Sequence, residues 1–396
     1  MILTPHRLLK CAAQPVARCA ASLAPLILAA AMPSSVDAAL LSGKFFYSLG
    51  VSPDANHGTA IDVSADGNTV VGGEGQWGFR WTPMDGFQRI SNSVGAARAV
   101  SADGTVIVGV VSGSSPDYRW ILGVGFQAVP FGPQGFPPER LSAVSADGQT
   151  VLGYGYHPFM GNEIFTWTVG QPQLQLIPRV EGTLGGFAYE LSDDASVIVG
   201  TQVAQLTPRV HRAARWVNGV GELISQAPNA IASEGYALSA DGNVMGGQVS
   251  FPGSSDAYIW TQAQGMQLIG AADIGLTQSR VSDLSADGGV AVGSGLLNGK
   301  LLGFVWTEAR GVVLADDLLT AYGIDLGGYT INGINGVSND GRTFVGVATS
   351  PSGRREPFIA RIPEPSATTL AFMCVAVQRR WRRRLRPRSS FSPIRR

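Results

Sequence analysis

Cysteine is missing from the long central part of this 396-residue chain: Cys11, Cys19 and Cys374 all lie near its ends. Residues 39–362 are therefore closed to disulfides and thiolate metal sites. A segment of roughly 320 residues without staples can still bury a sufficient apolar core. Charge is scarce at 15% of residues, and the net charge of zero conceals an uneven distribution. The ends are arginine-rich, whereas residues 39–362 hold 17 basic and 27 acidic side chains. An acidic body without a basic stripe argues against nucleic-acid binding, which rests on phosphate neutralisation. Nucleophile elbow, phosphate loop and HExxH motif are all absent. His57, His157 and His211 stand far apart with no metal-ligand spacing and read as loop or surface residues. The adjacent acids Asp193-Asp194 and Asp316-Asp317 point apart in either strand or helix. No catalytic residue, metal or cofactor is expected. Helical 3.6-residue periodicity is missing too, while glycine is abundant at 51 residues, which suits many short strands joined by tight turns.

What is present is a repeat. A core of Ser-(Ala/Asp/Asn)-Asp-(Gly/Ala)-x-x-Val-x-Gly type, variable at its end, occurs seven times, beginning at Ser64, Ser101, Ser145, Ser192, Ser239, Ser285 and Ser338. An aromatic-x-Trp element follows, as in Phe79-Arg80-Trp81 and Tyr258-Ile259-Trp260. The fourth copy has Ala214 in place of the aromatic, and the seventh has Ala360 in place of tryptophan. A Gly-led alternating segment such as Gly86-Phe87-Gln88-Arg89-Ile90 completes the unit. Small and apolar residues before the serine make a first strand, Asp-Gly a turn, and the Val-rich run a second strand. The tryptophan element and the alternating segment supply the third and fourth. Four strands in about 45 residues is the length of a propeller blade.

The expected fold is therefore all-β, a seven-bladed β-propeller of four-stranded blades over residues 39–362. The seventh unit stops at Ile362 without a fourth strand, and Phe45–Leu49 is a strand without a unit. Pairing the two closes the ring and removes its open edges. Leu314–Leu326, which lengthens the last spacing, suits a short helix on one rim, with Asp316 and Asp317 in its first turn.

The ends have their own patterns. Arg7, Lys10 and Arg18 precede the apolar run Ala20–Met32, and Val36-Asp37-Ala38 offers a cleavage point, so residues 1–38 read as a secretory signal. That run is shorter than the roughly 20 apolar residues of a membrane span. At the other end Pro363-Glu364-Pro365 leads into the apolar segment Ala367–Val377. A basic stop follows, made of Arg379, Arg380, Arg382, Arg383 and Arg384. This three-part tail, residues 363–396, resembles the PEP-CTERM sorting signal of exported bacterial proteins. The resemblance implies cleavage by an exosortase-type membrane transpeptidase and transient inner-membrane tethering through the tail. Over residues 45–362 the repeats resemble the HAF-type extracellular repeat family, and more distantly the Ser-Pro-Asp-Gly propeller repeats of Tol-system proteins. That implies an exported protein of the cell surface or extracellular matrix.

Hairpin turns are the expected role of Asp66, Asp103, Asp147, Asp241 and Asp287, since no copy has the spacing of a calcium loop. The repeated tryptophans read as packing between blades. Glu74 and Trp77 stand outside the repeat pattern and are candidates for an exposed contact. The expected function is a non-catalytic binding or scaffold module for an exopolysaccharide or envelope protein. The alternative is a polysaccharide lyase or hydrolase with a site on the propeller face. A catalytic propeller should gather polar, pKa-shifted groups around the central channel, whereas a pure scaffold should have a channel mouth of small residues and Asp-Gly turns.

Overall fold

The computed structural model describes residues 43–90, 95–111, 117–157, 161–206 and 208–364. Over these residues the chain forms seven four-stranded antiparallel sheets, and the protein is a seven-bladed β-propeller. The first strand of each repeat lies innermost: β2 (Gly58–Val63), β6 (Gly95–Val100), β10 (Arg140–Val144), β14 (Gly186–Leu191), β18 (Ala232–Leu238), β22 (Thr277–Leu284) and β26 (Thr330–Val337). Each touches the next, and β26 touches β2, so the ring is complete.

Closure is as the leftover pieces require. β1 (Phe45–Ser48) is the outer strand of the seventh blade, antiparallel to β28 (Arg355–Arg361), with Phe45 opposite Arg361 and Ser48 opposite Phe358. Phe46 stacks on Phe358 at 5.6 Å. Phe45 joins Val345 and Ile359 in packing against Val63, Phe79 and Trp81 of the first blade.

The serine motif builds the turn after each inner strand. All seven serines are at most 2% exposed. In the fifth repeat the Ser239 hydroxyl donates to Asp241 at 2.7 Å and accepts from the Val244 N–H at 2.9 Å. Asp241 accepts the Asn243 N–H at 3.0 Å. The other six repeats reproduce these three bonds. The turn glycines hold φ between +68° and +76°, and Ala195 occupies the same place at +59°.

The residue after each serine forms a second ring. The N–H of Ala65 donates to the carbonyl of Ala102, and so on through Ala146, Asp193, Ala240, Ala286 and Asn339 back to Ala65, at 3.0–3.2 Å. Seven backbone bonds thus run head to tail around one end of the channel.

Packing between blades uses the tryptophan element: Trp81, Trp167, Trp216 and Trp260 are buried, and Trp120 and Trp306 are partly buried against the blade cores. The extra segment forms α1 (Ala315–Ala321), which buries Ala315, Leu318 and Leu319 against the sixth and seventh blades. Asp316 and Asp317 lie in its first turn as expected, and Asp316 accepts the Ile331 N–H at 3.0 Å.

Candidate functional site

The two ends of the channel differ. Around the amide ring small or apolar residues, including Ala65, Ala102, Ala146, Ala240 and Ala286, line the channel together with the acids Asp62, Glu190, Asp193 and Asp283, and the space is only about 100 Å³. Toward the start of the inner strands the channel widens into a cavity of about 750 Å³.

A repeated irregularity forms the wide mouth. Every inner strand carries a β-bulge two to four residues before its serine, between Ala60 and Asp62 in β2 and at the matching place in the other six. A bulge leaves one residue unpaired and re-aims its side chain. The unpaired residues here are Ile61, Arg98, Ser142, Tyr189, Tyr236, Ser282 and Asn335, and all seven line the cavity. Arg140, Arg280 and Tyr154 join them. A period-two strand with no bulge could not bring so many neighbouring positions to one opening.

Three carboxyls separate mouth from throat. Asp62, Glu190 and Asp283 border both spaces. Asp62 accepts the N–H groups of Val63 (2.7 Å) and, from the next blade, Val100 (2.8 Å). Asp283 does the same with Leu284 (2.7 Å) and Val337 (2.8 Å). Desolvation pushes Asp62 up to about 6, against the pull of those amides. Desolvation, reinforced by Asp62, pushes Asp283 up to about 8. Glu190 is raised well above the carboxylate range by desolvation and then by Asp62. Three anions in one desolvated space repel one another, so ionisation of all three carboxyls together is opposed.

Aromatic and cationic groups cover the opening. Tyr189 and Tyr236 meet edge-on at 5.0 Å, and Tyr154 meets Phe187 at 5.2 Å. Arg280 lies 5.9 Å over the Tyr236 ring. Burial raises Tyr154, Tyr189 and Tyr236 above the usual phenol range. Beside them His211 Nδ1 is 2.7 Å from Glu234 Oε1, and the Tyr236 hydroxyl donates to Glu234 Oε2. Polar, pKa-shifted groups thus gather around the channel, and at its narrow end they lie among small residues.

Several expectations need placing. Asp66, Asp103, Asp147, Asp241 and Asp287 serve the turns. The serine hydroxyl and a backbone N–H hold Asp147, Asp241 and Asp287 below the usual carboxylate value. Glu74 is not an exposed contact: it is 0% exposed, accepts the Ser52 N–H and faces Arg89 at 3.5 Å. The segment after β1 covers it, and hydropathy gives no sign of that. Trp77 is partly buried, with Arg89 lying 5.5 Å over its ring. His211 is not a loop residue but lies on β16 (Arg209–Val217). Pro363 and Glu364 border a groove of about 1010 Å³ between the seventh and first blades. There Glu364, itself largely exposed, pairs with Arg342 at 2.9 Å. Residues 1–38, Pro365 and the basic stop Arg379, Arg380, Arg382, Arg383 and Arg384 lie outside the described residues.

No protein-family model matches the sequence, and no curated protein matches it significantly. Solved structures do match. Oligogalacturonate lyase from Vibrio parahaemolyticus aligns with a TM-score of 0.57 at 11% identity, covering 81% of this chain and 94% of that one. An oligogalacturonate lyase in complex with manganese gives 0.55 at 12% identity over 81% and 93%. The β-propeller domain of the Trilobed protease from Pyrococcus furiosus gives 0.54 at 11% identity over 78% and 96%. The likeness is one of fold. That protease domain is described as having an open velcro topology, whereas β1 closes the ring here. Among the described residues no group of three or more His, Cys, Asp or Glu could hold a metal ion.

Proposed function

We propose that this chain is an exported, non-catalytic binding module whose ligand site is the wide mouth of the propeller channel. Its ligand on this reading is a glycan of the surface or extracellular matrix. The observation that carries it is the set of seven bulges, which turn tyrosine, arginine and serine side chains toward one cavity while the other end stays narrow. Cavities of this size with a few convergent polar groups are the usual form of small-molecule sites. An envelope protein is the other partner considered, but a recessed mouth suits a flexible oligosaccharide better than a folded surface.

The test is a binding screen of the intact chain against bacterial polysaccharides, run with wild type and Ser142→Trp. The variant places a large ring in the mouth. A hit that wild type binds and the variant loses, with an unchanged melting temperature, supports the reading. A hit that both bind equally places the ligand elsewhere and overturns it.

A second reading rests on His211, Glu234 and Tyr236. A histidine oriented by a carboxylate beside a phenol is a constellation capable of proton transfer, and the neighbours include lyases acting on oligogalacturonate. Fold likeness at this identity does not carry an activity across. Shortening of the bound glycan by wild type, lost in His211→Ala, would replace the binding reading with this one.

We further propose that the tail is cut at Pro363-Glu364-Pro365 by an exosortase-type transpeptidase, after transient tethering at the inner membrane, and that the mature protein is at the cell surface or extracellular. Among the described residues the last strand ends at Arg361, so a cut at the motif leaves the seven blades whole. In its native host, a Pro363→Ala, Glu364→Ala double variant should accumulate at the unprocessed mass. Normal processing of that variant would remove the sorting role.

A further inference from the structure

Three arginines line the wide mouth without a salt bridge among the described residues. Arg98 and Arg140 come from adjacent blades and Arg280 from the sixth, and all line the same cavity. Among the described residues none of the three makes an ion pair, although nine such pairs occur elsewhere. The Arg98 Nε is buried with no hydrogen-bond partner. Burial, and then the charge of Arg140, make the Arg98 cation harder to hold. Asp117 attracts it, but that carboxylate already accepts the buried Leu141 N–H at 2.7 Å. Two guanidinium groups that repel each other in a desolvated recess are destabilising unless an anion is taken up between them.

The acids nearby do not fill that role. Asp62 and Asp283 turn their oxygens to backbone N–H groups of their own and the following blade. Glu190 accepts the Leu191 N–H at 3.0 Å. Cationic side chains thus face the opening, and the carboxyls deeper in the channel are occupied with holding neighbouring strands.

Beside the cations lies an aromatic surface. Tyr189 and Tyr236 are in contact, Tyr154 meets Phe187, and Arg209 lies 5.8 Å over the Phe187 ring. Aromatic faces offer apolar area to the C–H faces of a sugar ring, with hydroxyls at their edges for its oxygens. The planar guanidinium fork matches a carboxylate with two parallel bonds. A polyphosphate such as nucleic acid is disfavoured by the acidic body around the mouth.

We infer that the mouth binds a carboxylated oligosaccharide, with acid groups held by Arg98, Arg140 and Arg280 and sugar rings against Tyr189 and Tyr236. This rests on the reading that the mouth is the ligand site, and it names the class of ligand.

The experiment is calorimetric titration of the intact chain with trimers of galacturonate, glucuronate and mannuronate. Their methyl esters, a neutral hexose trimer and a sulfated hexose trimer are run beside them. At least one uronate trimer should bind at least tenfold more tightly than its methyl ester and than the sulfated trimer. Arg98→Ala and Arg140→Ala should each weaken that binding about tenfold, which corresponds to ~1.4 kcal/mol for a charged hydrogen bond. Arg98→Lys should recover only part of the loss. Because neither arginine holds a protein carboxylate, their replacement should leave the melting temperature unchanged or higher. Equal affinity for acid and methyl ester, equal or tighter binding of the sulfated trimer, or unchanged affinity in the arginine variants would each overturn the inference. If only neutral glycans bind, and Ser142→Trp abolishes that binding, the inference falls while the mouth remains the site. If Ser142→Trp leaves all glycan binding intact, both fall.

Discussion

Deletion of Phe45–Ser48 is expected to cost on the order of 5 kcal/mol of unfolding free energy, much of the 5–15 kcal/mol that typical domains possess. The deletion removes the buried Phe45 and the Phe46 ring stacked on Phe358. Burying a phenylalanine contributes roughly 1.5–3 kcal/mol, and each lost strand hydrogen bond adds about 1 kcal/mol. It also bares the edge of β28, a ready surface for aggregation. Removing Arg379–Arg396, which carries none of the repeat pattern, should change stability by less than about 0.5 kcal/mol. Thermal unfolding of both truncations in parallel measures the difference. Equal tolerance of the two would show that β1 is not what shuts the ring.

The second large effect lies in a turn. Gly242→Ala should destabilise by about 2–5 kcal/mol, combining left-handed backbone strain with overpacking. Gly242 holds φ +72°, and a Cβ there would lie 2.6 Å from Val197 Cγ2 and 2.7 Å from Val197 Cβ, on the neighbouring blade. The reverse change at the matching position is Ala195→Gly. It should stabilise by up to about 1 kcal/mol, since Ala195 already bears the strain of φ +59°. Denaturant titration of the two variants gives opposite signs if the seven turns are equivalent. The same sign for both would refute that equivalence.

The architecture was legible because it is repeated. A serine, an aspartate and a glycine at fixed offsets specify a turn by hydrogen bonding and by φ, and seven copies leave little choice of fold. Phe45–Leu49 was legible as a strand because it is rich in aromatics and the seventh unit has one strand missing. The mouth was not legible. Arg98, Tyr189, Tyr236 and Ser142 occupy one structural position but share no chemistry, so nothing repeats to draw attention to them. They do all stand three residues before the motif serine, an offset at which Ile61, Ser282 and Asn335 also fall. Glu74 misled because it stands outside the repeat pattern, and its contact with the Ser52 N–H is one that no periodicity places there.

The pairing of Phe45 with Arg361 also fixes a chronology. A ribosome makes β1 before any blade and β28 after nearly all of them. For most of its synthesis the chain therefore holds one half of a clasp with no other half. The seven amides that run head to tail cannot form a circle until Asn339 exists to donate to Ala65. A fragment stopped after the sixth blade would be an arc with two raw ends, so the molecule has no stable stopping place short of the whole. Contacts this distant in sequence also form slowly, and such a protein depends on being kept soluble and unfinished until its last strand arrives.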